Sequence, residues 1–222
     1  MSLAGTIPDR AQRTFISIDL EALRSAALTA TPFPFLVVPG FVRATAHEAV
    51  RADFPEIGHP GSFPLATLRY GPAFAKMMAE IQGAEMTSAV AEKFGMALAR
   101  FPTMVTVRGM SREADGRIHT DSRSKILTAL IYMNDAWESG KGRLRLLRSP
   151  ERLDDFILEV PPERGTLLIF RNGPGAWHGF ESFSGPRRVI QLNWVSDAWV
   201  VRREVARHRL SAFFKHFSSR TG

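Results

Sequence analysis

From Pro102 onward the chain changes its period. Met104 to Val107, Lys125 to Asn134, Arg143 to Leu147, Phe156 to Val160, Thr166 to Phe170 and Val189 to Val195 are short apolar or β-branched runs, parted by clusters of Gly, Pro, Asp or Asn. Such spacing, roughly ten residues or slightly more, suits an antiparallel sandwich or barrel better than βαβ units. The first hundred residues read differently. Helices are expected over residues 45–54, 72–82 and 85–99: Thr45 and Glu48 stand in capping-box spacing, Pro72 suits a first helical turn, and Met86, Val90 and Phe94 repeat every four residues. A shorter helical stretch lies around 19–28, where Asp19 or Ser17 could cap, and the proline-bracketed run 31–42 suits an edge strand turning at Pro39-Gly40. After Ser196 a basic amphipathic helix is expected. The resulting division is one domain, with 1–100 as mainly helical support, 101–196 as a β core and 197–222 as the terminal helix.

Composition narrows the chemistry. At 222 residues, 45% hydrophobic and 23% charged, the chain has the make-up of one globular domain with a sizeable core. It has no cysteine, which excludes disulfides, a thiolate nucleophile, Cys-ligated zinc and iron-sulfur clusters. Any metal must then be held by His, Asp or Glu. No apolar run approaches the roughly 20 residues of a membrane span, and the first residues lack a signal-peptide segment, so a soluble, cytoplasmic protein is expected.

Two of the six histidines stand in suggestive company: His119 in Arg117-Ile118-His119-Thr120-Asp121, and His178 in Ala176-Trp177-His178-Gly179. Alternate residues of a strand share a face, so His119 and Asp121 can converge on one metal while His178 arrives from another strand. Two imidazoles and a carboxylate form the facial triad of non-haem Fe(II) oxygenases. An isolated H-x-D is a weak signal, because a loop histidine beside an Asx-turn aspartate has the same spelling. Downstream, Gly185-Pro186-Arg187-Arg188 opens the strand VIQLNWV, where a buried arginine could hold a carboxylate bidentately, or two arginines could form a solvated strand edge.

The segments GRIHTDS, KILTALIYMNDAW, GKGRLRLL, VPPERGTLLIF, WHGF and GPRRVIQLNW follow one another between Gly116 and Trp194. In their order they resemble the Fe(II)/2-oxoglutarate-dependent dioxygenases of the prolyl-hydroxylase-like type. The resemblance implies a mainly β fold with flanking helices (α+β): a double-stranded β-helix, or jelly roll, core with N-terminal buttressing helices and a C-terminal helix. It implies His119, Asp121 and His178 as Fe(II) ligands, 2-oxoglutarate as cosubstrate, O2 as oxidant, and ascorbate as an accessory reductant. The cosubstrate arginine falls at Arg188 when counted back from Trp194 and at Arg187 when counted forward from His178. Arg188 is favoured, because a gap in the loop before Pro186 is easier than one inside a strand. Arg187 stays open, because its strand face also carries Gln191 and Asn193 and is the more polar. Tyr132 matches a position that donates its hydroxyl to the cosubstrate. Lys125 is read as a strand-flanking residue with its ammonium in water.

Two other classes compete: a metal-binding jelly-roll module without oxygenase activity, and a nucleic-acid-directed oxygenase. The second draws on a net charge of +7, but no paired aromatic stacking motif accompanies it. Residues 199–222 hold six Lys or Arg and one Glu, so most of that charge belongs to the terminal helix. Its apolar stripe, Ala206, Leu210, Phe213, Phe214 and Phe217, suits packing on the domain or on a second copy in a homodimer. A small molecule or a protein side chain is the expected substrate.

Overall fold

The computed structural model describes residues 16–199 and 201–202. The terminal helix expected from Trp199 to Phe217 lies almost wholly outside them. Among the described residues, nine strands form two antiparallel sheets. In chain order they are β1 (Phe35–Val38), β2 (Phe63–Pro64), β3 (Thr103–Ser111), β4 (Lys125–Tyr132), β5 (Leu144–Leu147), β6 (Phe156–Val160), β7 (Leu167–Arg171), β8 (His178–Gly179) and β9 (Gly185–Val195). The larger sheet runs β1-β7-β4-β9-β3-β2 and the smaller β6-β5-β8. All six runs foreseen from the sequence are strands. The two-residue β2 and β8 are additional, too short to leave a periodic signal.

Among the described residues, helices α1 (Leu20–Ser25), α2 (Ala44–Ala52), α3 (Pro72–Ile81) and α4 (Ala84–Phe94) accompany the sheets. Period-two alternation decides what they cover. Leu127, Ala129 and Ile131 of β4, Leu167 and Ile169 of β7, and Ile190, Leu192 and Trp194 of β9 join Phe74, Met77, Met78, Ile81, Met86 and Val90 of α3 and α4 in one buried cluster. The intervening residues, Leu130, Tyr132, Leu168, Phe170 and Val189, face Leu144, Leu146 and Val160 in the space between the sheets.

Helix ends show which local signals operate. Asp19 accepts a hydrogen bond from the Ala22 N–H at 3.0 Å and caps α1. The Thr45–Glu48 capping box is not used: α2 starts one residue earlier, after Arg43, without a side-chain cap, and Thr45 is already inside the helix. Pro72 does occupy the first turn of α3. The cap there comes from the end of α2 instead, where Asp53 accepts from the Ala73 N–H at 2.6 Å. Glu80 of α3 binds the N–H groups of Ser17 and Ile18, fastening the start of the described chain to the helical layer.

Candidate metal and cosubstrate site

His119 and His178 sit directly opposite each other, exchanging both backbone hydrogen bonds at 3.0 Å. This bridge extends the smaller sheet beyond β8. It requires close backbone approach: a Cβ on Gly116 would stand 2.3 Å from the Phe180 carbonyl oxygen, and one on Gly179 2.8 Å from that of Gly116. The two imidazoles lie 4.3 Å apart between ring centres. Asp121 enters from the loop leading to β4. One ligand atom from each of His119, Asp121 and His178 lies within 4.8 Å of the others.

Backbone carbonyls set the tautomer of both histidines. Nδ1 of His119 is 2.8 Å from the Arg117 carbonyl, and Nδ1 of His178 is 3.1 Å from that of Ala176. A carbonyl can only accept, so each Nδ1 carries the hydrogen, and each Nε2 presents a lone pair. Burial pushes the His178 imidazole down to about 4, the His119 charge adding to the effect and Asp121 opposing it, so it is neutral near pH 7. Burial works against the charge of Asp121. The Lys125 ammonium and His178, with hydrogen bonds from Lys125 and Thr128, outweigh it and hold the carboxyl below the usual carboxylate range. An anionic carboxylate beside two Nε2 lone pairs is a donor set that fits a divalent cation of intermediate softness.

These residues open onto a cavity of about 390 Å³ between the sheets, with Arg187 in its wall. Arg187 is buried; its Nε donates to the Gly142 carbonyl at 2.8 Å, and its guanidinium lies 4.2 Å from the ring centre of Phe180. Nη2 of Arg187 and the Tyr132 hydroxyl are buried and complete no hydrogen bond. Burial raises the phenol to about 12, against the pull of the Arg187 charge, so it keeps its proton. Burial also lowers Arg187, Tyr132 acting against this and the neighbouring Arg108 charge with it. Arg187, a buried cation in the cavity wall with a nitrogen lacking a partner, fits a carboxylate, and the Tyr132 hydroxyl lies beside it.

Arg188 is not part of this wall. Its guanidinium lies over Phe54, 5.7 Å from the ring centre, on the face that carries Ile190, Leu192 and Trp194. The pairing of β3 with β9 explains the two conflicting counts. Arg108 pairs with Val189 but Met110 with Pro186, so a bulge sets Arg187 and Arg188 together opposite Gly109. Of the two arginines, Arg187, on the face of Gln191 and Asn193, is the one placed in the cavity wall. Lys125 departs from expectation too: its ammonium is 2.6 Å from Asp121 and only 18% exposed, inside the cavity rather than in water. Among the cavity residues that sequence reasoning missed is Arg108, whose strand position carries no motif.

Residues 106–196, the stretch holding every one of these groups except Phe54, match the family model of the 2OG-Fe(II) oxygenase superfamily. Solved oxygenases share the architecture around that stretch. A Pseudomonas putida prolyl-4-hydroxylase superposes with a TM-score of 0.51 at 16% identity, over 81% of this chain and 97% of its own. A viral collagen prolyl hydroxylase from Paramecium Bursaria Chlorella virus-1, solved as a 2OG complex, gives 0.52 at 13% identity, over 73% and 96%. A prolyl 4-hydroxylase from Phytophthora capsici gives 0.52 at 15%, over 88% and 71%. At such identities the likeness is one of fold: the double-stranded β-helix with flanking helices. No curated protein matches the chain in sequence. Among the described residues, no helix is long and apolar enough to cross a membrane.

Proposed function

We propose that the protein is an Fe(II)- and 2-oxoglutarate-dependent dioxygenase in which His119, Asp121 and His178 hold the iron and Arg187, with Tyr132, holds the distal carboxylate of 2-oxoglutarate. The observation that carries this reading is the convergence of three ligand atoms within 4.8 Å, with both histidine Nδ1 atoms tied to backbone carbonyls. When bound, iron and 2-oxoglutarate supply oxidation of a substrate C–H bond by O2, giving a hydroxylated product, succinate and CO2. The chain's own part is position and electrostatics. Backbone pairing fixes the imidazoles, Arg187 offers an unpaired nitrogen to the cosubstrate, and Tyr132 donates a hydroxyl hydrogen that burial keeps in place. Phe170, Phe180 and Leu144 give the cavity apolar walls that limit water around the reacting centre.

The reading extends to one oxygenase domain over 1–222, a cytoplasmic setting, and a small molecule or a protein side chain as substrate. A homodimer through the C-terminal helix is part of it. The assay is succinate release from 2-oxoglutarate by the purified protein with Fe(II) and ascorbate, without added substrate. Slow turnover is expected, and it should vanish in His119→Ala and in Asp121→Ala. Turnover that survives in both variants overturns the ligand assignment. Absence of cosubstrate binding to the metal-loaded wild type by calorimetry would favour a metal-binding module instead.

A further inference from the structure

The carboxylate of Asp121 has both oxygens occupied, and by partners of different kinds. Oδ2 accepts from the Thr128 hydroxyl at 2.6 Å, while Oδ1 accepts from the Lys125 ammonium at 2.6 Å. The Thr128 oxygen is itself the target of two amides, Asn172 Nδ2 at 2.9 Å and Asn193 Nδ2 at 2.8 Å. A hydroxyl has one hydrogen and two lone pairs. An oxygen–oxygen contact of 2.6 Å to a carboxylate holds only if the hydrogen lies between them, so the Thr128 hydrogen points at Asp121. Both lone pairs of Thr128 then remain for the two amides. This fixes the amide orientations as well. The Oδ1 atoms of Asn172 and Asn193 are left without partners, and that cost is met because the amide nitrogens face Thr128.

The consequence is a carboxylate held rigidly on one side and loosely on the other. Asn193, Asn172 and Thr128 are anchored on β9, after β7 and on β4, and Thr128 and Asn193 are buried. Lys125 reaches Oδ1 on a flexible four-carbon stem at the start of β4 and is partly open to the cavity. We infer that Oδ1 is the metal-binding oxygen and that the Lys125 ammonium is a placeholder cation, seated on that oxygen until a metal displaces it. Thr128, backed by Asn172 and Asn193, is the positioning residue that keeps Oδ2 turned away and the carboxylate one-toothed. This rests on His119, Asp121 and His178 being the ligands.

The two roles have opposite signs, which separates them from general structural support. Replacing Lys125 removes a competitor and a like charge; replacing Thr128 removes the brace. The test is titration of the metal-free, full-length protein with Mn(II), following free Mn(II) by electron paramagnetic resonance, with no cosubstrate and no turnover. Lys125→Met is expected to bind Mn(II) at least about threefold more tightly than wild type. Thr128→Val should bind it about tenfold more weakly, within the range seen when the groups supporting a ligand are lost. Thr128→Ser, which keeps the hydroxyl, should recover wild-type binding. Weaker or unchanged binding by Lys125→Met overturns the placeholder role. Unchanged binding by a folded Thr128→Val overturns the brace, and should that variant fail to fold, Lys125→Met still decides the competition. His119→Ala is the control: if it binds Mn(II) as well as wild type, the ligand assignment itself fails, whereas loss of binding there with unchanged affinity in the other variants sinks this inference alone.

Discussion

The two faces of the larger sheet are made by the same strands and share no chemistry. On β9, Ile190, Leu192 and Trp194 point into the helical layer, while Arg187, Gln191 and Asn193, one residue out of phase, line or support the cavity. On β4, Leu127, Ala129 and Ile131 alternate in the same way with Thr128, Leu130 and Tyr132. The helix-facing side is a continuous apolar cluster, as packing demands. The other combines apolar walls with polar groups that satisfy one another or wait, unpaired, for a ligand. A position's parity therefore forecasts whether a substitution costs stability or chemistry.

The sharpest separation is expected at Asp121. Asp121→Ala should abolish Fe(II)-dependent succinate release while leaving the thermal midpoint within a few degrees of wild type; a collapse in stability would blur the division. On the opposite face, Trp194→Ala removes the largest fully buried side chain of the core and should lower unfolding free energy by about 3–5 kcal/mol in urea, without changing cosubstrate affinity. Equal effects on both quantities would show that the faces are coupled.

His178 lends the cavity side a strong pH dependence. In the unfolded chain its imidazole takes up a proton near its ordinary value of 6.5, but in the fold only near 4. The metal-free protein should therefore keep its full stability above pH 6.5 and lose on the order of 3 kcal/mol as pH falls toward 4. Urea unfolding across this range checks it, and His178→Gln should flatten the profile. The smallest effects set adjacent residues against each other. Arg187→Leu should raise the 2-oxoglutarate requirement by about 100-fold, as for loss of a buried charge-assisted pair of roughly 2–3 kcal/mol. Arg188→Leu should move it by less than about twofold. The reverse ranking, measured by calorimetry, would return the anchor to Arg188.

Much of this was legible in the chain before its fold. The six strand runs, the helices α2 to α4 and the Asp19 cap follow from periodicity and cap chemistry, and the H-x-D with its distant histidine marks the cavity. What escaped has identifiable causes. A capping box is a local preference, and tertiary placement started α2 a residue earlier with Thr45 inside. The arginine register could not be counted through a bulge that only the β3–β9 pairing reveals. Lys125 looked like any strand-flanking lysine, since nothing in its neighbours says that Asp121 folds back over it. β8, which carries His178, is two residues long and exists only because β5 and His119 hold its edges.

That last pairing has a consequence for how the site fails. Because His119 and His178 form a rung of the smaller sheet, the placement of their imidazoles, and of any metal they hold, is not supplied by side-chain rotamers alone. It is inherited from a ladder that opens or closes as a unit. Amide hydrogen exchange at the two histidines should therefore slow together when metal binds, and any change that frays this short edge, even one remote from the ligands, would surface first as a protein that releases its metal while its helical layer stays intact.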